Sequence, residues 1–235
     1  MASVLGREYP YRLLSRLTLP YTTHELDADL QRLTDHGLQE AITNGYNYAF
    51  RHALMRDVAY DSQLRAVRRE LHGQVVDLVD SEPPLARDVP DILLAEHCLA
   101  AERTIRGLEL LLQVAEDALR RFALRAPRSI LERVLALSAE LVPGSRRDLI
   151  QLKTISLLGP LITLLDGHRL ASALYQTGKD LYFAVHASER APFFPVLWGW
   201  WFTAGDLIEQ TRRSEILIRD VTPDADRVSR LQALH

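Results

Sequence analysis

Five arginines, Arg51, Arg56, Arg65, Arg68 and Arg69, fall in one short stretch of the chain. Guanidinium groups at that density can hold nucleotide phosphate, DNA or an acidic protein surface. Asp57, Asp61 and Glu70 are interleaved at helical spacing, which favours a solvated face with local ion pairs. Arg56, Arg68 and Arg69 stand as candidates for a partner surface. His52 lies in the same stretch, Tyr48 to His72, where a strand-like run gives way to a helical one. A histidine at such a junction suits a signalling module better than a complete enzyme. Elsewhere, His97-Cys98 follows Glu96, but adjacent helical residues point in different directions and no second pair sits at ligand spacing, so a structural thiol and no metal site is expected. Trp198, Trp200 and Trp201 gather with Phe193, Phe194 and Phe202, enough for an aromatic pocket or for a packed core. Trp198 and Phe202 are spaced i, i+4, as core partners would be; Trp200 points away from them and is the candidate to face a groove. Gly178-Lys179-Asp180 lacks the upstream glycine and the hydroxyl residue of a phosphate-binding loop. No G-x-S-x-G elbow and no glycine-rich dinucleotide turn is present. No catalytic residue is assigned.

The elements that must position these residues are mostly helices. Apolar residues recur at helical spacing over Pro10 to Leu17 and Thr22 to His36, with Thr22 or Thr23 as cap and Gly37 as stop. Leu38 to Ile42 and Tyr46 to Phe50 read as two short strands around Asn44-Gly45, a dipeptide suited to a tight hairpin turn. A lone hairpin is marginal, so the preceding helices are expected to cover it. Helices, then a hairpin, is the order of a winged helix. Beyond Ala53 the pattern stays helical, and Glu82-Pro83-Pro84 breaks it. The double proline sets the expected division into a winged-helix-like domain, 1–82, and a helical domain, 85–235. The spacing predicts helices over 90–101, 105–123, 127–142, 146–165, 169–187, 193–204 and 207–220. Their wide apolar faces call for antiparallel pairs stacked side by side. Pairs begin about 40 to 47 residues apart, longer than the roughly 34 of a tetratricopeptide unit. The expected fold is thus mainly α: three helices plus a β-hairpin, then an α-solenoid of tetratricopeptide-like pairs.

The 235 residues, 47% hydrophobic and 25% charged, have the make-up of a globular chain, and a net charge of −3 gives no general attraction to nucleic acid. One cysteine, Cys98, rules out an intramolecular disulfide framework and fits a reducing cytoplasm. Arg7 and Glu8 stand where a signal peptide would need an apolar core. Runs such as Ile155 to Leu165 read as too short and interrupted to span a bilayer. A cytoplasmic location without membrane attachment is expected.

The run from Phe50 to Tyr60, continued by Leu64, Arg68, Arg69, Leu71 and His72, resembles the end of the winged helix in bacterial STAND-class signalling ATPases. It is most similar to the large proteins that join a class III adenylate/guanylate cyclase domain to an AAA-type ATPase and a tetratricopeptide-like tail. Ala2 to Tyr9 resembles the opening of that winged helix, and Pro192 to Gly199 a marker in the tail. Arg56 stands where a glutamine is common in that motif, and Gln63 where a leucine is. No phosphate-binding loop and no cyclase core are present, so the resemblance implies a C-terminal piece cut inside the helical array.

The same resemblance implies a role for His52. In the pattern H-x-L-x-x-D-x-A, matched by His52, Leu54, Asp57 and Ala59, the histidine reaches the β-phosphate of ADP and holds a closed state. An imidazole N–H can donate to a phosphate oxygen, and the following helix N-terminus adds amide donors. The competing expectation is a helix-start residue bonded within its own domain. The chain itself then needs no cofactor; ATP or ADP with Mg belongs to the larger protein. Partners would be an upstream ATPase domain and a protein or small effector on the helical repeats. DNA is disfavoured: the helix Thr22 to His36 carries Glu25, Asp27, Asp29 and Asp35 against Arg32, a formal 1 − 4 = −3, whereas phosphate contacts require cations. The implied function is non-catalytic regulation of a nucleotide switch. The equivalent region of an ATPase-type transcription regulator and a stand-alone helical adaptor are the alternatives.

Overall fold

A computed structural model of the chain describes residues 1–18, 20–42 and 46–220. Asn44-Gly45, expected to form the hairpin turn, lies outside the described residues. The protein is mainly helical with one small sheet, and it divides into two compact units, Met1–Leu110 and Leu111–His235.

The first unit opens with α1 (Ala2–Leu5), β1 (Glu8–Pro10), α2 (Tyr11–Leu17), α3 (Thr23–Asp35), β2 (Gln39–Ile42) and β3 (Asn47–Phe50). Thr22 caps α3 as its sequence predicts. Its hydroxyl accepts from the Glu25 N–H, and the Glu25 side chain accepts from the Thr22 N–H, a reciprocal capping box. Gly37 follows with φ at +67°, a conformation that other residues adopt only with strain, and turns the chain into β2. β3 is the central strand, antiparallel to both neighbours: Ile42 and Asn47 are partners on one side, Tyr9 and Tyr48 on the other. Strand β1 was not among the expected elements. It is only three residues long and contains Pro10, whose extended φ of −71° serves both the strand end and the start of α2.

The chain continues through α4 (Ala53–Asp61), α5 (Arg65–Ser81), the single turn α6 (Pro83–Ala86) and α7 (Asp91–Ala100) into α8 (Thr104–Arg120). The break falls at the double proline. Leu85, between the break and Val89, is nevertheless fully buried in the same core as Leu5, Tyr9, Leu13, Leu30, Val75, Val76 and Cys98. That core holds α1 to α3 against α5 and α7, and the compact units divide at Leu110 and Leu111. Burying the Tyr9 ring brings its hydroxyl with it, and the hydroxyl donates to Gln39 Oε1. Gln39 is itself buried and donates to the Leu30 carbonyl at 3.0 Å, so a polar thread joins β1, β2 and α3 inside the apolar core.

The second unit is built from α9 (Arg125–Ala139), α10 (Ser145–Leu165), α11 (His168–Ala184), α12 (Phe194–Phe202) and α13 (Leu207–Asp220), with two short 3-10 turns before α12. Consecutive helices from α9 to α13 pack on one another, and α10 also contacts α12. Close approach among α10, α11 and α12 depends on glycine. The Tyr175 ring of α11 lies where side chains at Gly159 and Gly199 would project, 2.4 Å and 2.2 Å from where each Cβ would stand. By length and composition α10 could cross a membrane, which differs from the expectation drawn from the shorter run Ile155 to Leu165. In the fold Leu152, Ile155, Leu158 and Leu161 of α10 are buried, as in the central helix of a packed unit.

Candidate functional site

The strand-to-helix junction at His52 is built as its sequence suggests. His52 is the N-cap of α4, with φ −127° and ψ 133°, and its side chain makes no capping hydrogen bond. It is exposed. Helix α4 is unusual in burying none of its residues, and Leu54 and Val58, one turn apart, are 73% and 62% exposed. Three polar tethers fasten it. Arg56 Nε donates to the Ser3 carbonyl at 2.9 Å, Gln63 Nε2 donates to Ser3 Oγ at 2.8 Å, and Tyr60 Oη lies 3.0 Å from His72 Nε2. Arg56 and Gln63, the two positions where the sequence departs from the motif it resembles, thus both reach α1.

The basic cluster is largely paired. Arg56 meets Asp57 at 3.1 Å, Arg68 meets Asp61 at 2.9 Å, and Arg69 meets Glu102 at 2.9 Å. Arg56 and Arg68 also stack on Tyr60, each guanidinium 4.6 Å from the ring centre. The cluster is therefore an ion-paired surface wrapped around one aromatic ring.

Beneath Tyr60 lies a polar arrangement that sequence reasoning missed. His72 of α5 and His97 of α7 are both buried, with their Nδ1 atoms 2.7 Å apart. One Nδ1 must donate and the other accept, so the two neutral rings are complementary tautomers. Donation from His97 to His72 leaves the His72 Nε2–H to donate to Tyr60 Oη, and exposes only a lone pair at His97 Nε2, which has no partner. Burial, with Arg56 and Arg68 nearby, holds the His72 pKa down at about 4; burial and the facing His72 ring hold His97 at about 4. The pair is thus neutral at pH 7. Among the described residues no group of three or more His, Cys, Asp or Glu could hold a metal ion. Cys98 is fully buried, and burial raises its thiol pKa.

In the second unit the roles of the tryptophans are exchanged relative to expectation. Trp200, the candidate to face a groove, is only 3% exposed; its Nε1 donates to Gln176 Oε1 at 2.8 Å, and Lys179 and Arg213 approach its ring. Trp198 and Phe202 do stack, 4.9 Å apart and 11° from parallel, but on the outside, at 41% and 37% exposed. The physical reason is that α12 is apolar on every side, so spacing alone does not reveal which side the unit buries. The aromatic rings that reach the surface there are Trp198 and Phe202, and Trp200, expected on a partner surface, is buried instead.

A comparison with known proteins finds 27% identity over 161 residues with an uncharacterized protein from Rhizobium meliloti (strain 1021), covering 68% of this chain and 16% of that protein. The chain thus spans about one sixth of the length of the curated relative it matches. No family model matches the chain, and no solved structure matches it.

Proposed function

We propose that this chain is the non-catalytic regulatory region of a bacterial, cytoplasmic STAND/AAA signalling ATPase of the cyclase-linked kind: a winged helix followed by tetratricopeptide-like helix pairs. The observation that carries the reading is the order α1-β1-α2-α3-β2-β3 with β3 central in an antiparallel sheet, followed directly by a helix whose N-cap is His52. That is the order of a winged helix. An exposed N-cap imidazole with no capping bond of its own leaves its N–H for a phosphate oxygen presented by another domain. The large size of the Rhizobium meliloti relative is compatible with further domains. In this reading the helical half takes up a protein or a small effector, and the junction at His52 and α4 passes the change to ADP or ATP with Mg on the upstream ATPase domain. DNA is disfavoured as a partner of α3, which carries Glu25, Asp27, Asp29 and Asp35 and whose one arginine, Arg32, is already paired with Asp29.

The test is nucleotide retention in the longer polypeptide that contains this chain. With His52→Ala, ADP carried through purification should fall several-fold, while the winged-helix half stays folded. Unchanged ADP retention would remove His52 from the switch.

A further inference from the structure

His168, Ser172 and Gln176 follow one another at i, i+4 on α11 and so share a face, with Arg169 beside them. This face forms one wall of a surface cavity of about 740 Å³, and the Thr203–Gly205 turn after α12 forms the other. The lining is one-sided in its chemistry: a guanidinium, an imidazole, a hydroxyl and a carboxamide, with no carboxylate. Among the described residues Arg169 has no ion-pair partner and the Ser172 hydroxyl no hydrogen-bond partner. Gln176 is oriented by the core. Because Trp200 Nε1 occupies its carbonyl oxygen, the NH₂ end is left with only a 3.4 Å approach to Asp180. The nearby acids are already engaged: Asp166 with Arg128 at 2.7 Å, Asp180 with Lys179 at 2.7 Å, and Asp206 accepting from the Glu209 N–H at 2.8 Å.

Unused donors and positive charge without a carboxylate call for an anion with several acceptor oxygens. The volume lies within the roughly 300 to 1,000 Å³ of small-molecule sites, too large for a lone inorganic ion. From Arg169 to Gln176 the helix rises about 10 Å, the length of a small sugar phosphate. We propose that this cavity binds the phosphate ester of a small polyol, with the phosphate on Arg169 and His168 and the hydroxyls on Ser172 and Gln176. An arginine fork matches two phosphate oxygens at once. The site deepens the reading of the helical half as the part that takes up an effector, though its argument stands on the cavity alone.

Ribose 5-phosphate serves as the probe, with ribose and inorganic phosphate as comparators, on the whole 235-residue chain at pH 7 and low salt, read by calorimetry and thermal melting. Ribose 5-phosphate should saturate and bind at least about tenfold more tightly than inorganic phosphate, and Arg169→Gln should weaken it about tenfold or more with the ligand-free melting temperature unchanged. Gln176→Leu together with Ser172→Ala should bring ribose 5-phosphate down to the affinity of inorganic phosphate. No saturation below about 10 mM, equal binding of inorganic phosphate, or an unaffected Arg169→Gln variant overturns the proposal. The experiment on His52 uses no residue of this cavity, so either idea can fail without the other.

Discussion

His72 and His97, twenty-five positions apart in sequence, place their Nδ1 atoms 2.7 Å from one another between α5 and α7. Because both rings are held neutral, with pKa values near 4 against 6.5 when unfolded, the unfolded chain binds more protons than the folded one as the pH falls below 6.5. Stability contributed by the pair is therefore fully present above about pH 6.5 and is lost as the pH falls toward 4. A ring shifted by this much corresponds to something on the order of 3 kcal/mol. Urea unfolding of the first unit should show its midpoint falling between pH 6.5 and 4, and His97→Leu should flatten that fall. A midpoint independent of pH over this range would mean that the two rings are hydrated and free to charge.

The second unit should be sensitive to single methyl groups at its glycines. A Cβ at Gly199 would stand 2.2 Å from the Tyr175 ring, and one at Gly159 2.4 Å, so the ring or the helices must move. Overpacking of this kind destabilises by about 1–3 kcal/mol. Gly199→Ala should lower the melting temperature of this unit, and Tyr175→Leu added to it should recover part of the loss by returning the space. Equal melting of Gly199→Ala and the parent would show that the α11–α12 contact is looser than described.

Truncating the two stacked or buried indoles should give opposite results. Trp200→Ala removes a buried ring and leaves Gln176 without its donor, a loss expected at about 3–5 kcal/mol. Trp198→Ala removes a ring already 41% exposed and should cost less than about 1 kcal/mol. Denaturant unfolding followed by circular dichroism distinguishes them. Comparable losses would return Trp198 to the core.

Most of the helices from α7 to α13 were legible from an apolar face of the right period, and α12 from a run that is apolar throughout, with Pro143-Gly144, Gly167, Pro192 and Gly205 falling between helices; Pro127, expected at a break, lies instead in the first turn of α9. Their predicted and observed bounds differ by a few residues, as expected where end turns fray. Strand β1 was not legible, since three residues with a proline carry no periodicity and their partner strand lies far along the chain. The orientation of α12 was hidden for a different reason: spacing identifies which rings meet, while only the tertiary fold decides which side is covered. The His72–His97 pair was hidden because the two histidines stand 25 positions apart, and His97, weighed only beside Cys98, meets His72 only when α5 and α7 pack. At His52 the sequence named the position, and the structure adds that nothing in the chain uses its side chain as a cap.

That last point makes folding separable from the proposed nucleotide contact at His52. Histidine is a weak N-cap, whereas serine and asparagine offer an oxygen to the orphan amides of the first turn, a gain of roughly 0.5–1 kcal/mol. The backbone at His52 already has the extended conformation such a cap requires, so His52→Ser can make the bond without moving α4. In the isolated chain His52→Ser should therefore slow amide exchange in α4, while His52→Ala leaves global stability within about 0.5 kcal/mol. In the multidomain ATPase proposed above both variants would lack the imidazole, and both should lose ADP alike if the N–H reaches phosphate. If His52→Ser instead retains ADP as well as the parent, the junction contributes through the rigidity of α4, and the imidazole has no part in the switch.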